Sequence, residues 1–134
     1  MQNTVLKTTM LLSALVLTAS ATNVEQRVKF APGASEATLQ GSWDPAKAGR
    51  GESFDRYILG AAKGQTMVVQ LKSTGKASLY VWYKDYNNGS LAENSGQDSS
   101  CTVKLPGNGD YNIDVGPAGE SPQKFSYTLT VSIR

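Results

Sequence analysis

Nine carboxylates between Asp44 and Glu120 are the groups in this chain best suited to acid–base chemistry, because histidine is absent. Its absence removes Ser-His and Cys-His nucleophilic pairs, the usual general base at neutral pH and most zinc sites. Two carboxylates facing each other across a cleft can hydrolyse a glycosidic bond. The spacing here selects no such pair, and no enzyme is expected. Asp85-Tyr86-Asn87-Asn88-Gly89 places several oxygen ligands ahead of a turn glycine. It keeps neither the ligand spacing nor the closing acid of a calcium loop, so no metal and no cofactor are expected. The single cysteine, Cys101, has no partner for a disulfide, and alternation in Ser100–Leu105 sets it on the face of Val103 and Leu105. Such a thiol is expected to be an inert core group.

Binding chemistry is better represented than catalytic chemistry. Tyr80, Trp82, Tyr83 and Tyr86 fall within seven residues and lead from a strand into an acidic stretch. Alternation divides Tyr80 and Trp82 from Leu79, Val81 and Tyr83, so one set faces the core and the other is free to bind. Three connections exceed what a hairpin needs: Ser42–Ser53 with Trp43 and Arg50, Lys84–Ser100 with Tyr86, and Gly116–Lys124 with Glu120 and Lys124. Aromatic and arginine side chains on such loops are the types that dominate protein interfaces.

The elements that must position these groups follow from the rest of the chain. Met1–Ala21 reads as a secretory signal peptide: Lys7 is the basic start, Met10–Leu17 the apolar core and Ala19-Ser20-Ala21 the cleavage site. The apolar run is too short to span a bilayer and no later segment is apolar enough. A periplasmic or secreted product beginning near Thr22 is expected, with residues 22–134 forming a single domain. Its 113 residues carry 12 basic and 11 acidic groups once Lys7 is removed. That balance supplies no field for nucleic acid or an anionic membrane, and neither is expected as a partner.

Period-two alternation runs through the mature chain, and no helical spacing persists. Strands are expected at Val24–Phe30, Ala37–Gly41, Asp55–Leu59, Met67–Lys72, Leu79–Tyr83, Cys101–Leu105, Tyr111–Val115 and Phe125–Ile133. The third and fourth are expected to form a hairpin through Ala61–Gln65. The predicted fold is all-β: an antiparallel β-sandwich of seven or eight strands, Greek-key or jelly-roll-like.

Two stretches carry a family resemblance. Asp55-Arg56-Tyr57-Ile58-Leu59-Gly60-Ala61-Ala62-Lys63-Gly64-Gln65 resembles the D-x-Y-x-F-x-A-x-K-G-Q segment of the periplasmic inhibitors of g-type lysozyme. Leu105-Pro106-Gly107-Asn108-Gly109-Asp110-Tyr111 resembles the L-P-x-S-G-x-Y hairpin of the same family, with Asn108 in place of serine. The first and last strands fit as well, so the resemblance spans nearly all of the mature chain. It implies a stoichiometric lysozyme inhibitor, g-type favoured, that blocks the substrate cleft with surface loops. It also implies that Asn108, Gly109 and Tyr111 belong to the inhibitory hairpin, and that Phe54 stands where the family tends to place tyrosine. The arginine-rich final loop of the family is missing, which leaves Arg50 or Lys124 as the substitute cation. Trp43 and Tyr86 complete the expected binding set. The same motifs recur in pre-peptidase C-terminal sandwich domains. They keep open the alternative of a carbohydrate-binding or cell-envelope adhesion module using Trp43, Trp82 and Tyr86 as stacking platforms.

Overall fold

The computed structural model describes residues 25–46, 54–119 and 123–134; the expected signal peptide, Val24 and Arg50 lie outside the described residues. Seven strands are present among them: β1 Glu25–Arg27, β2 Glu36–Trp43, β3 Asp55–Ala61, β4 Thr66–Tyr83, β5 Ala92–Lys104, β6 Gly109–Pro117 and β7 Phe125–Ile133. The chain is all-β as the alternation required. β7 has the expected bounds and inward set, with Phe125, Tyr127, Leu129, Val131 and Ile133 all buried.

The seven strands are joined by hydrogen bonds into one mixed sheet of order β1-β3-β6-β4-β7-β2, with β5 on the other side of β4. This corrects the expectation of two separate antiparallel sheets. Continuity comes from β4, an 18-residue strand where two strands separated by a loop were expected. Its first half, Met67–Ser73, pairs with β7, and its second half, Ala77–Tyr83, pairs with β6. β5 follows it through both halves, shifting register opposite Lys72/Ala77. β5 begins at Ala92, so much of the expected acidic loop Lys84–Ser100 is strand. The sheet is also not purely antiparallel, because β1 runs parallel to β3.

The β4–β5 ribbon bends at Ser73–Lys76, and side chains of β3 and β7, from the two halves of the sheet, meet. Tyr57 on β3 and Tyr127 on β7 are not strand neighbours, yet their rings meet edge to face at 6.5 Å and their hydroxyls lie 2.6 Å apart. Tyr127 donates its only proton to Asp55 at 2.6 Å, so Tyr57 is the donor to Tyr127. Asp55 and Tyr57 are wholly buried. Burial pushes the Tyr57 hydroxyl up to about 12, aided by the Asp55 charge. Burial likewise raises Tyr127, and the neighbouring Tyr57 and Asp55 raise it further. The rest of the core is mainly Leu, Val and Ile with Trp43, Phe125 and Tyr111 among them, and Met67, Val69, Leu79, Val81, Ile113 and Leu129 are excluded from solvent. Cys101 is buried among them and its thiol is raised by that burial, as expected for an inert group.

The expected β3–β4 hairpin does not form. β3 pairs with β6 over Asp55–Ala61 and Val115–Gly109, and β4 opens in the other half of the sheet. The turn between them explains why. Gln65 N–H bonds to Ala62 C=O at 3.1 Å, and Gly64 at φ +91° takes the left-handed position of a type II turn. Its outer groups then bond to the β5–β6 connection instead of zipping β3 to β4: Gly64 N–H to Leu105 C=O at 2.9 Å, and Leu105 N–H to Gln65 C=O at 2.8 Å. The motif reads as a hairpin in sequence but works as a crossing between the two halves.

Candidate functional site

Because the ribbon folds double, both of its tips come to one end of the molecule. There the β3–β4 turn (Ala62–Gln65) and the β5–β6 connection (Leu105–Asn108) lie side by side, beside the end of β4 and the loop that carries Tyr86. Asn108 is the junction. Its side-chain Oδ1 accepts from Lys63 N–H at 2.8 Å, and its backbone C=O accepts from the Tyr83 hydroxyl at 2.9 Å. The side chains of Lys63 and Asn108 are exposed.

Tyr111 supports this junction from below. It is wholly buried, stacked on Tyr83 with ring centroids 4.5 Å apart and planes 17° from parallel. Its hydroxyl donates to Gly107 C=O at 2.6 Å and accepts from Gly107 N–H at 3.1 Å. One side chain therefore satisfies the backbone N–H and C=O of one residue, in two successive peptide units, where the chain leaves the sheet. Burial and the nearby Tyr83 raise the Tyr111 hydroxyl, and its bond to Gly107 opposes this. Gly107 has no room for a side chain, because a Cβ there would strike the Tyr83 hydroxyl. The result is a connection clamped by two tyrosines from below and one backbone N–H from the side.

Charge around the junction is mixed. Arg27 on β1 pairs with Asp110 at the start of β6, both about half exposed, and the arginine holds the Asp110 carboxyl below its ordinary range. Lys84 and Asp85 stand 3.9 Å apart at the end of β4. Tyr86, 39% exposed, is the one large hydrophobic side chain among the described residues that projects into solvent. Among the described residues no group of three or more Cys, Asp or Glu side chains is placed to hold a metal ion.

The other expected binding residues are elsewhere. Trp43 is the last residue of β2, not part of a loop; it is 2% exposed and stacks on Phe125 at 5.8 Å. A stacking platform for sugars is excluded at that position by burial. Phe54 precedes β3 at the end opposite Asn108, since Asp55 pairs with Val115 and Ala61 with Gly109. Six residue steps separate those pairs, about 20 Å along a strand. Phe54 packs edge-on to Tyr80 at 5.7 Å and lies against Gly116, where a Cβ would strike its ring. Tyr80 in turn stacks on Trp82 at 5.8 Å. This half-buried aromatic row on the outer face is flanked by a bidentate pair, Arg56 Nε and Nη2 to Asp114 Oδ1 and Oδ2 at 2.8 and 2.9 Å. The expected set thus divides: Asn108, Gly109, Tyr111 and Tyr86 gather at one end, and Trp43 and Phe54 at the other. Lys63 and Tyr83 were missed as members. The Lys-Gly-Gln and Leu-Pro-x-x-Gly signals mark the two connections, but nothing local told that they touch.

No protein-family model matches the chain, and no curated protein does. Solved structures do. The periplasmic inhibitor of g-type lysozyme PliG of Aeromonas hydrophila is 28% identical, with a TM-score of 0.71 over 86% of this chain and 100% of that one. PliG of Salmonella Typhimurium, 21% identical, shares the fold with a TM-score of 0.63 over 84% and 100% of the two chains. The pre-peptidase C-terminal domain of a Bacillus anthracis collagenase, 13% identical, shares it more loosely, with a TM-score of 0.52 over 87% and 100%. In fold and extent this chain is similar to the periplasmic inhibitors of g-type lysozyme, and the clamped connection at Asn108 and Tyr111 lies at one end of that fold.

Proposed function

We propose that the protein is a periplasmic inhibitor of g-type lysozyme, with residues 22–134 as its single mature domain. It occupies the enzyme's substrate cleft with the end of the molecule that carries Asn108, Lys63 and Tyr86. The observation that carries this reading is the full-length likeness to Aeromonas hydrophila PliG, described as such an inhibitor, at 28% identity. The clamped junction supports it physically. A tight inhibitor must present a rigid surface, because ordering loops on binding subtracts from affinity. Asn108 and Gly109 form the projecting edge, and Tyr86 supplies an aromatic anchor of the type that dominates interface energies. Tyr111 acts from inside by holding Gly107. Phe54 and Trp43 serve the opposite end: Trp43 closes the core, and Phe54 belongs to the outer aromatic row. Arg50 lies outside the described residues and Lys124 stands beside Phe125 at the opposite end, so the exposed Lys63 is the cation that pairs with cleft carboxylates in place of the arginine-rich loop. The doubled sheet works as a sandwich would, with its two faces locked by the Tyr57–Tyr127–Asp55 chain.

The test is titration of purified residues 22–134 against g-type, invertebrate-type and chicken-type lysozymes on bacterial cell walls. Inhibition of the g-type enzyme at a one-to-one ratio is expected. Full g-type activity at a large excess of the protein would overturn the reading.

A further inference from the structure

Two Asn-Gly pairs occur in the chain, Asn88–Gly89 and Asn108–Gly109, and the fold sets them in opposite circumstances. Asn-Gly is the dipeptide most prone to intramolecular imide formation, because a glycine carries no side chain to shield its backbone nitrogen. Asn88–Gly89 lies in the exposed connection between β4 and β5, and the Asn88 side chain makes no hydrogen bond among the described residues. Asn108–Gly109 is equally exposed, but Oδ1 of Asn108 is held by Lys63 N–H and its C=O by the Tyr83 hydroxyl. Gly109 is itself committed to β6, opposite Ala61. Ring closure requires the Asn108 side chain to swing onto the Gly109 nitrogen, and those contacts must break first.

We propose that Asn88 and Asn108 are a matched pair of spontaneous modification sites, the first open and the second held shut by the clamped junction. In the reaction the Gly109 nitrogen loses its proton to hydroxide and attacks Cγ of Asn108. The Cγ–Nδ2 bond breaks and ammonia leaves, giving a five-membered imide. Water then adds to one imide carbonyl, leaving aspartate or, with the backbone rerouted through the side chain, isoaspartate. The balance is one water consumed and one ammonia released, with no oxidant or other co-reactant. At position 108 either product places a carboxylate against Lys63, and isoaspartate also lengthens the main chain by one methylene within a connection clamped at Gly107. The lock therefore preserves the geometry of the junction for as long as the turn stays docked.

The experiment incubates the intact folded protein in mildly alkaline buffer and follows each peptide by mass spectrometry for the gain of one dalton. Asn88 is expected to convert about tenfold or more faster than Asn108, the factor that one or two net hydrogen bonds supply. Lys63→Pro removes the N–H donor at the second position of a type II turn, where proline is favoured. It is expected to raise the Asn108 rate several-fold toward that of Asn88 while the Asn88 rate, an internal clock in the same molecule, stays constant. Tyr83→Phe keeps the ring stacked on Tyr111 and removes only the second bond, giving an independent reading in the same direction. Equal rates at the two sites in the wild-type fold would overturn the proposal. So would an Asn108 rate indifferent to both variants, or the absence of conversion at Asn88. None of these outcomes depends on which enzyme, if any, the protein inhibits.

Discussion

The hydroxyl of Tyr111 is the smallest feature on which the junction depends, since it alone satisfies both polar groups of Gly107. Tyr111→Phe keeps the stacked ring and strands the N–H and C=O of Gly107, an expected loss of about 1–3 kcal/mol in urea unfolding. If the Asn108 end is the inhibitory surface, the same variant loses affinity for g-type lysozyme beyond what its stability loss accounts for. Asn108→Ala separates the two effects. Its side chain is exposed and makes a single bond, so stability is expected to fall by only about 0.5–1.5 kcal/mol while inhibition falls several-fold. Unchanged inhibition by a folded Asn108→Ala protein would move the contact surface away from this end. Asn108 and Tyr111 were legible in the sequence through the Leu-Pro-x-x-Gly-x-Tyr motif, but their division of labour was not. Alternation sets Tyr111 inward, and only the fold of the ribbon shows that an inward tyrosine can still govern an outward loop.

Among the elements, β5 carries the greatest liability, because among the described residues it is paired only with β4 along its 13 residues and leaves a long edge to another chain. Asn94 blunts that edge at the bend. Its side chain accepts from Ser95 N–H at 2.8 Å and donates to Ser100 C=O at 3.0 Å, occupying two backbone groups. Asn94→Val removes both bonds and adds a β-branched residue to the strand. The expected result is concentration-dependent self-association, read by analytical ultracentrifugation, from a protein that is otherwise folded. The positions of the elements were readable where burial alternates cleanly, as in β7. They were misread where a strand bends: β4 looked like two strands because Ser73-Thr74-Gly75-Lys76 breaks its apolar pattern at the fold of the sheet.

Across the whole molecule, the Tyr57–Tyr127–Asp55 chain is what ties one half of the sheet to the other, and it makes stability depend on alkaline pH. Tyr57 is pushed up to about 12 in the fold and has its ordinary value near 10 when unfolded. Between those values the unfolded chain has lost a proton that the native state keeps, so unfolding free energy falls as pH rises. The contribution is complete below about pH 10 and vanishes by about pH 12, a loss on the order of 2–3 kcal/mol from this residue. Urea midpoints measured across that range are expected to fall for the wild type and to fall less for Tyr57→Phe. Equal slopes would mean that Tyr57 is not the titrating group.

What the amino-acid order determined by itself is the all-β class, the buried faces of the regular strands, the buried Cys101 and the absence of histidine chemistry. These follow from local periodicity and residue type, which need no knowledge of neighbours. What only tertiary structure decided is which strands pair and which loops meet. The Ala62–Gln65 turn has the local chemistry of a hairpin, yet its outer groups bond to Leu105, some forty residues on. Trp43 and Phe54 have the residue types of an interface, yet the fold seals one and sends both to the far end. Hydrogen bonds between distant segments, formed where a continuous ribbon folds over itself, carry that information, and no window of local sequence contains it.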